Sequence, residues 1–350
     1  MLELSKTIEE QTEEIREDAV ASACSVADIL RLIGTGAGAQ ILMALGAGPL
    51  RTRQLTDRVE GFSSRSVYRH ASEMEACGLI DRDQAPGVPS KVVLRLSEPA
   101  GRELFRLFRA FATTPMTRLP ANGEPFFAWS SLNLLGELWN LGFLEELSCE
   151  PRSLAQFARG EHELTFHQVN RRIRLLLSSG LLTASPPAGN GKRYELTRYG
   201  RRCMALIAGV GRWRRHVLAD RTPGLTIAEM VTVLRVAMPL TVLPEHIGES
   251  IDLSVAGAVD ASGHRDMQTL RGTVGTDGTL RYTADAEDPA EGAAGATINI
   301  WFAALLDGNR GRMRVRRDLD LVDSFLTQLY DVLWDTVTRA RPASTVAGDR

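Results

Sequence analysis

The chain has 350 residues, 44% hydrophobic and 24% charged, a composition that builds folded domains and excludes a disordered or collagen-like polymer. Its four cysteines, Cys24, Cys77, Cys149 and Cys203, are far apart and form no CxxC pair, and its six histidines lack ligand spacing, so neither a disulfide framework nor a metal site is expected. The net charge of −2 hides an uneven spread: eleven Arg or Lys stand against one acid, Glu195, between Thr165 and Arg215.

In chain order, residues 1–23 read as an acidic helix carrying Glu9, Glu10, Glu13, Glu14, Glu17 and Asp18. That is the opposite of a positively charged leader, and no run of eighteen apolar residues follows, so a cytoplasmic protein without membrane partners is expected. From residue 24 a repeat organises the chain. At a constant offset of 102 residues, Leu30 falls on Leu132, Gly34 on Gly136, Pro49 on Pro151, Gln54 on Gln156, Arg69 on Arg171 and Gly78 on Gly180. Shared apolar periodicity alone does not also align Gly and Pro, so a tandem duplication is expected, with domains at 24–118 and 125–219.

Each copy reads as helix, short helix, turn, helix, β-hairpin and closing helix, the order of a winged helix-turn-helix. In the second, a helix is predicted over roughly Ser131 to Leu147, a short one after Pro151, and a third from a Thr165 cap to about Ser178, ended by Gly180. Strands Leu181 to Ala184 and Arg193 to Leu196 flank a Gly/Pro-rich tip. A helix of this kind fits the major groove of double-stranded DNA while the hairpin reaches the backbone. The candidate DNA contacts are Ser63, Ser64, Arg65, Ser66, Tyr68, Arg69 and Lys91 in the first copy. In the second they are Thr165, His167, Gln168, Asn170, Arg171, Arg172, Lys192 and Arg193, supported by a basic helix start at Arg198, Arg201 and Arg202. The second set has the better base-reading chemistry, because Arg pairs with guanine and Asn or Gln with adenine. The first shares its stretch with eight acids against eleven bases.

The run Cys24-Ser25-Val26-Ala27 with Leu32-Ile33-Gly34, and Leu134-Leu135-Gly136 with Trp139, resembles the HxlR family of bacterial winged-helix regulators. Tyr194-Glu195-Leu196-Thr197 with Gly200 resembles the family's junction after the wing, echoed by Leu94 to Ser97 with Gly101. Ala37 departs from the pattern where the family has a Trp. The resemblance implies DNA binding, and because family members act as dimers of one-headed chains, it implies a covalent pseudo-dimer or a larger homodimeric assembly. Cys24 falls where some relatives place a reactive thiol; the simpler reading is a small buried residue before a helix, with redox sensing as the alternative.

From Asp220 on the balance reverses to nineteen acids against thirteen bases, which marks a different domain at 224–338 with a flexible tail at 339–350. Strands are expected at Ile251 to Val259, Thr269 to Val274 and Thr279 to Thr283, with Thr276-Asp277-Gly278 as a hairpin turn. A loop from Ala284 to Gly295, a strand Thr297 to Ile300, a short helix Trp301 to Leu306, a strand Arg312 to Arg316 and a helix Leu321 to Val337 complete it. The segments Trp301 to Gly308, Met313-Arg314-Val315 and Asp318 to Leu321 resemble the latter half of sterol carrier protein type 2. That resemblance implies an apolar tunnel for a hydrophobic small-molecule effector, lined by Trp301, Phe302, Leu305, Leu306, Phe325, Leu329 and Leu333, whose alternative reading is ordinary core.

No enzyme is expected. Gly272 to Gly278 is glycine-rich but lies between two strands and opens no helix, so it fails as a dinucleotide loop, and no cofactor is implied. The fold class is α+β, two tandem winged helix-turn-helix domains followed by a sterol-carrier-like domain. The function that follows is a transcription regulator sensing a hydrophobic small molecule. The alternative is a lipid-binding or protein-interaction module whose winged helices serve assembly.

Overall fold

A computed structural model describes residues 25–85, 91–112, 126–160, 164–185, 191–217, 224–259, 263, 265–284 and 288–334. They fall into two compact units, one drawn from 1–113, 117–197 and 209–225, the other from 198–208 and 226–350. The expected acidic helix at 1–23, Cys24 and the tail at 339–350 lie outside the described residues.

The first unit runs through two stretches with the same order of elements. The first comprises α1 (Val26–Gly34), α2 (Gly36–Gly46), β1 (Leu50–Arg51), α3 (Thr52–Arg58), α4 (Ser64–Ala76), β2 (Ile80–Ala85), β3 (Lys91–Leu96) and α5 (Ala100–Ala112). Ser25 starts α1 by accepting a hydrogen bond from the Asp28 amide at 3.1 Å, while the acid of Asp28 sits favourably in the first turn. Ile29, Leu30 and Ile33 then turn one stripe fully into the core. The second stretch comprises α6 (Phe126–Asn140), α7 (Phe143–Cys149), β4 (Arg152–Ser153), α8 (Leu154–Phe157), α9 (Phe166–Ser178), β5 (Leu182–Ala184) and β6 (Arg193–Leu196), followed in the chain by α10 (Arg198–Arg202), which belongs to the second unit, and α11 (Met204–Val217), which belongs to the first from residue 209 on.

The two three-stranded sheets share a topology, β1-β3-β2 and β4-β6-β5, and a register. Ile80 faces Leu96 as Leu182 faces Leu196, and Leu50 faces Leu94 as Arg152 faces Tyr194. The stretches meet through corresponding helices: α1 packs on α6, where Gly136 lies so close that an added Cβ would stand 2.9 Å from the Ala27 carbonyl oxygen. Gly209 of α11 likewise makes room for the Leu107 side chain of α5. One expectation is corrected: the helix read from Ser131 to Leu147 is two helices, because Gly142 takes a left-handed φ of +71° and breaks it.

The second unit holds α10, α12 (Ile227–Ala237), β7 (Ser250–Val259), β8 (Arg265–Val274), β9 (Leu280–Thr283), β10 (Gly292–Thr297), α13 (Ile298–Asp307), β11 (Arg314–Arg317) and α14 (Leu319–Trp334). Its five-stranded sheet has the order β11-β10-β7-β8-β9, antiparallel except for the parallel pair β7–β10. Helices α12, α13 and α14 cover one face, onto which Ile251, Leu253 and Val255 alternate inward. The expected loop to Gly295 instead contains β10, and the expected strand at Thr297 to Ile300 is the start of α13, with Thr297 as its N-cap. Alanine- and glycine-rich β10 carries no β-branched signal before Thr297; its strand character comes from pairing with β7 and β11, which are distant in sequence. Among the described residues no single helix is long and apolar enough to cross a membrane.

Candidate nucleic-acid interface

Helix α9 starts with a reciprocal cap. The Thr165 hydroxyl accepts from the Gln168 amide at 3.3 Å, and the Gln168 side-chain oxygen accepts from the Thr165 amide at 2.8 Å. Starting the helix there fixes its faces. Val169, Ile173 and Leu176 go into the core, while His167, Asn170, Arg171, Arg174, Leu175 and Ser178 line a shallow groove along the outer side. His167, Arg171 and Arg174 are exposed, and Arg171 and Arg174 make no ion pair among the described residues.

Four of the expected contacts are engaged within the protein. Arg172 turns to the flank of the helix, half-buried and 3.8 Å from Glu137 of α6. Gln168 holds the cap with its amide oxygen, so it does not offer both ends of its amide to an adenine edge. Thr165 and, on α4, Ser63 are likewise committed to caps, Ser63 accepting from the Ser66 amide at 3.2 Å. Arg174, one turn beyond Asn170 on the same face, was not singled out as a site from the sequence; helical spacing from His167 and Arg171 was the signal that could have found it.

Helix α4 repeats the plan with weaker charge. Val67, His70, Ala71 and Met74 are buried, Ser64, Arg65, Tyr68 and Arg69 are exposed, and Ser66 is half-buried. Arg69 lies 3.8 Å from Glu73. The hairpins differ more sharply. In β2–β3, Arg95 bonds Asp83 at 2.7 Å and Asp81 at 3.0 Å, and Arg82 reaches Glu75 at 2.8 Å. The Asp83 hydrogen bond, with the two nearby carboxylates, raises the Arg95 pKa above its usual value. Lys91 opens β3 opposite Ala85. In β5–β6, Lys192 and Arg193 are exposed and make no ion pair among the described residues.

The basic start of α10 does not join this face. Arg202 is buried and donates to the Leu333 carbonyl at 3.3 Å, and Arg201 donates to the Val236 carbonyl at 3.1 Å, both within the second unit. Of the three, only Arg198 is exposed. The seven residues expected to line a tunnel, Trp301, Phe302, Leu305, Leu306, Phe325, Leu329 and Leu333, are all buried among α13, α14 and the sheet, and none of them lines the open groove on the opposite face. Among the described residues no group of three His, Cys, Asp or Glu side chains is placed to hold a metal ion.

A capped helix with its apolar stripe inward and a basic stripe outward, preceded by a short helix and followed by a hairpin, has the element order of a winged helix-turn-helix. Residues 32–119 match the HxlR-like helix-turn-helix family, so the first stretch of the N-terminal unit is a domain of that kind. No curated protein matches the chain.

Proposed function

We propose that the chain is a transcription regulator with two winged helix-turn-helix heads arising by tandem duplication, and that its C-terminal α+β domain, sterol-carrier-like in fold, senses a hydrophobic small molecule. The observation that carries the DNA-binding part is the outward face of α9, where Arg171 and Arg174 stand exposed and without an ion pair among the described residues, together with the Lys192–Arg193 end of the following hairpin. Charges left without acidic partners are available for phosphates and base edges, whereas paired ones are already satisfied. The duplication is supported by the matching strand register of the two small sheets, whose first two strands correspond at a sequence offset of 102 and whose third corresponds at 100, the hairpin tips differing by two residues.

The test is binding of the wild type and an Arg171→Ala, Arg174→Ala variant to promoter fragments across a salt series. Specific binding that weakens with salt and falls at least tenfold in the folded variant is the expected result. Absence of binding by folded wild type at low salt would overturn it and return the chain to a lipid-binding or protein-interaction module.

A further inference from the structure

The five-stranded sheet has a second face, opposite α12, α13 and α14, and that face is not flat. Along its middle the side chains are short: Ser254 and Ala256 of β7, Ala293 and Gly295 of β10. At its margins they are long, with Met267 of β8 on one side and Arg314 and Arg316 of β11 on the other. Between these walls lies an open groove of about 620 Å³, within the size range of small-molecule sites.

Charge distribution says what the groove is suited to hold. Arg265, Arg312, Arg314 and Arg316 all line it, and among the described residues none of them makes an ion pair. Elsewhere on the same sheet arginines are neutralised: Arg271 grips Asp252 through two bonds of 2.6 and 2.8 Å, and Arg281 meets Asp277. Strand alternation places Asp266, between Arg265 and Met267, on the other side of β8. Four cations without acidic partners among the described residues therefore surround a floor of short side chains, mostly Ala and Gly, within a region of the sequence that is net acidic.

We propose that this groove binds a planar aromatic carboxylate. Sheet backbone bearing methyl-sized side chains offers a flat floor for a ring. Met267, 59% exposed, presents a thioether suited to a ring edge. Guanidinium groups pair bidentately with a carboxylate and stack on aromatic faces. A DNA backbone would engage the arginines but leave the Ala and Met surfaces unoccupied. The inference rests on reading the C-terminal domain as the ligand-sensing part, and moves that site from the interior to the open face.

The probe is 2-naphthoate, titrated calorimetrically into the full chain without DNA. Saturable binding is expected, at least tenfold tighter than that of neutral 2-naphthamide and of decanoate. Arg314→Gln with Arg316→Gln should weaken it at least tenfold. Gly295→Leu should block it by filling the groove, because an added Cβ there meets only the Ser254 Cβ at 3.6 Å and the fold can accept it. Circular dichroism and melting confirm that each variant is folded. Failure of folded wild type to bind, equal affinity for the amide, tighter binding of decanoate, or unchanged binding in Gly295→Leu would each overturn the proposal. DNA binding is read separately through the Arg171 and Arg174 variant, so failure of the regulator reading is distinguishable from failure here.

Discussion

The two hairpins carry cations in opposite electrostatic states, which sets up a comparison inside one molecule. Replacing Lys192 and Arg193 together by alanine removes two charges that have no acidic partner among the described residues. If each contacts one phosphate, the slope of log affinity against log salt becomes shallower by about 1.8, at about 0.9 for each phosphate neutralised. Between 50 and 200 mM salt that corresponds to the wild type losing about twelvefold more affinity than the variant. The matched change in the first hairpin, Arg82→Ala with Arg95→Ala, removes cations already held by Glu75, Asp81 and Asp83, so its slope should move by less than about 0.5. Fluorescence anisotropy on a labelled duplex at four salt concentrations reads both. Equal slope changes in the two variants would refute the reasoning, because they would mean that ion pairing within the hairpin does not withhold charge from DNA.

Three further outcomes follow from the packing and the titrating groups. Gly136→Val should lower stability by about 1–3 kcal/mol in urea denaturation, as overpacking against the Ala27 backbone forces α1 and α6 apart; an unchanged midpoint would contradict the close approach. Burial pushes the Cys203 thiol up to about 12, so a thiol reagent at pH 8 should modify exposed Cys149 and leave Cys203 untouched in the native protein, as peptide mapping would show. Glu291 is held below the usual carboxylate range by the Ser250 amide and hydroxyl at 2.7 and 2.8 Å. Its contribution is therefore present above about pH 4.3, the ordinary glutamate value, and is lost as pH falls through the lowered value. Wild type should then lose stability more steeply than Glu291→Gln between pH 5 and pH 3.

Where local chemistry decides, the sequence was sufficient. The Thr165 cap, the end of α9 before Gly180 and the strand Arg193 to Leu196 all follow from residues within a few positions of one another, and the structure places each where the pattern put it. Where distant pairing or a single backbone angle decides, it was not. Gly142 reads as a tolerated helical glycine until its positive φ is seen. Strand β10 reads as a polar loop because its partners lie about forty residues before it and twenty after it. Arg202 was misread for a related reason: in a basic run it looks like surface, yet its guanidinium meets a carbonyl in the last turn of α14, where a cation complements the helix dipole. On the candidate DNA face, helical spacing identified Arg171, but the capping role of Gln168 and the turn of Arg172 toward Glu137 depend on side-chain geometry.

The packing of α1 on α6, and of α5 on α11, joins two stretches of the same element order inside one polypeptide. A symmetric dimer of identical chains must carry every substitution twice, so any change that tunes one half is imposed on the other. If the two stretches arose by the proposed duplication, they are free to drift apart one residue at a time. In register, Asp81, Asp83 and Arg95 of one hairpin correspond to Thr183, Ser185 and Glu195 of the other, so an ion-paired arm and a basic arm without ion pairs among the described residues share the same strand arrangement. On the proposed reading of two heads, such a molecule addresses a DNA site that is not palindromic without recruiting a second kind of subunit.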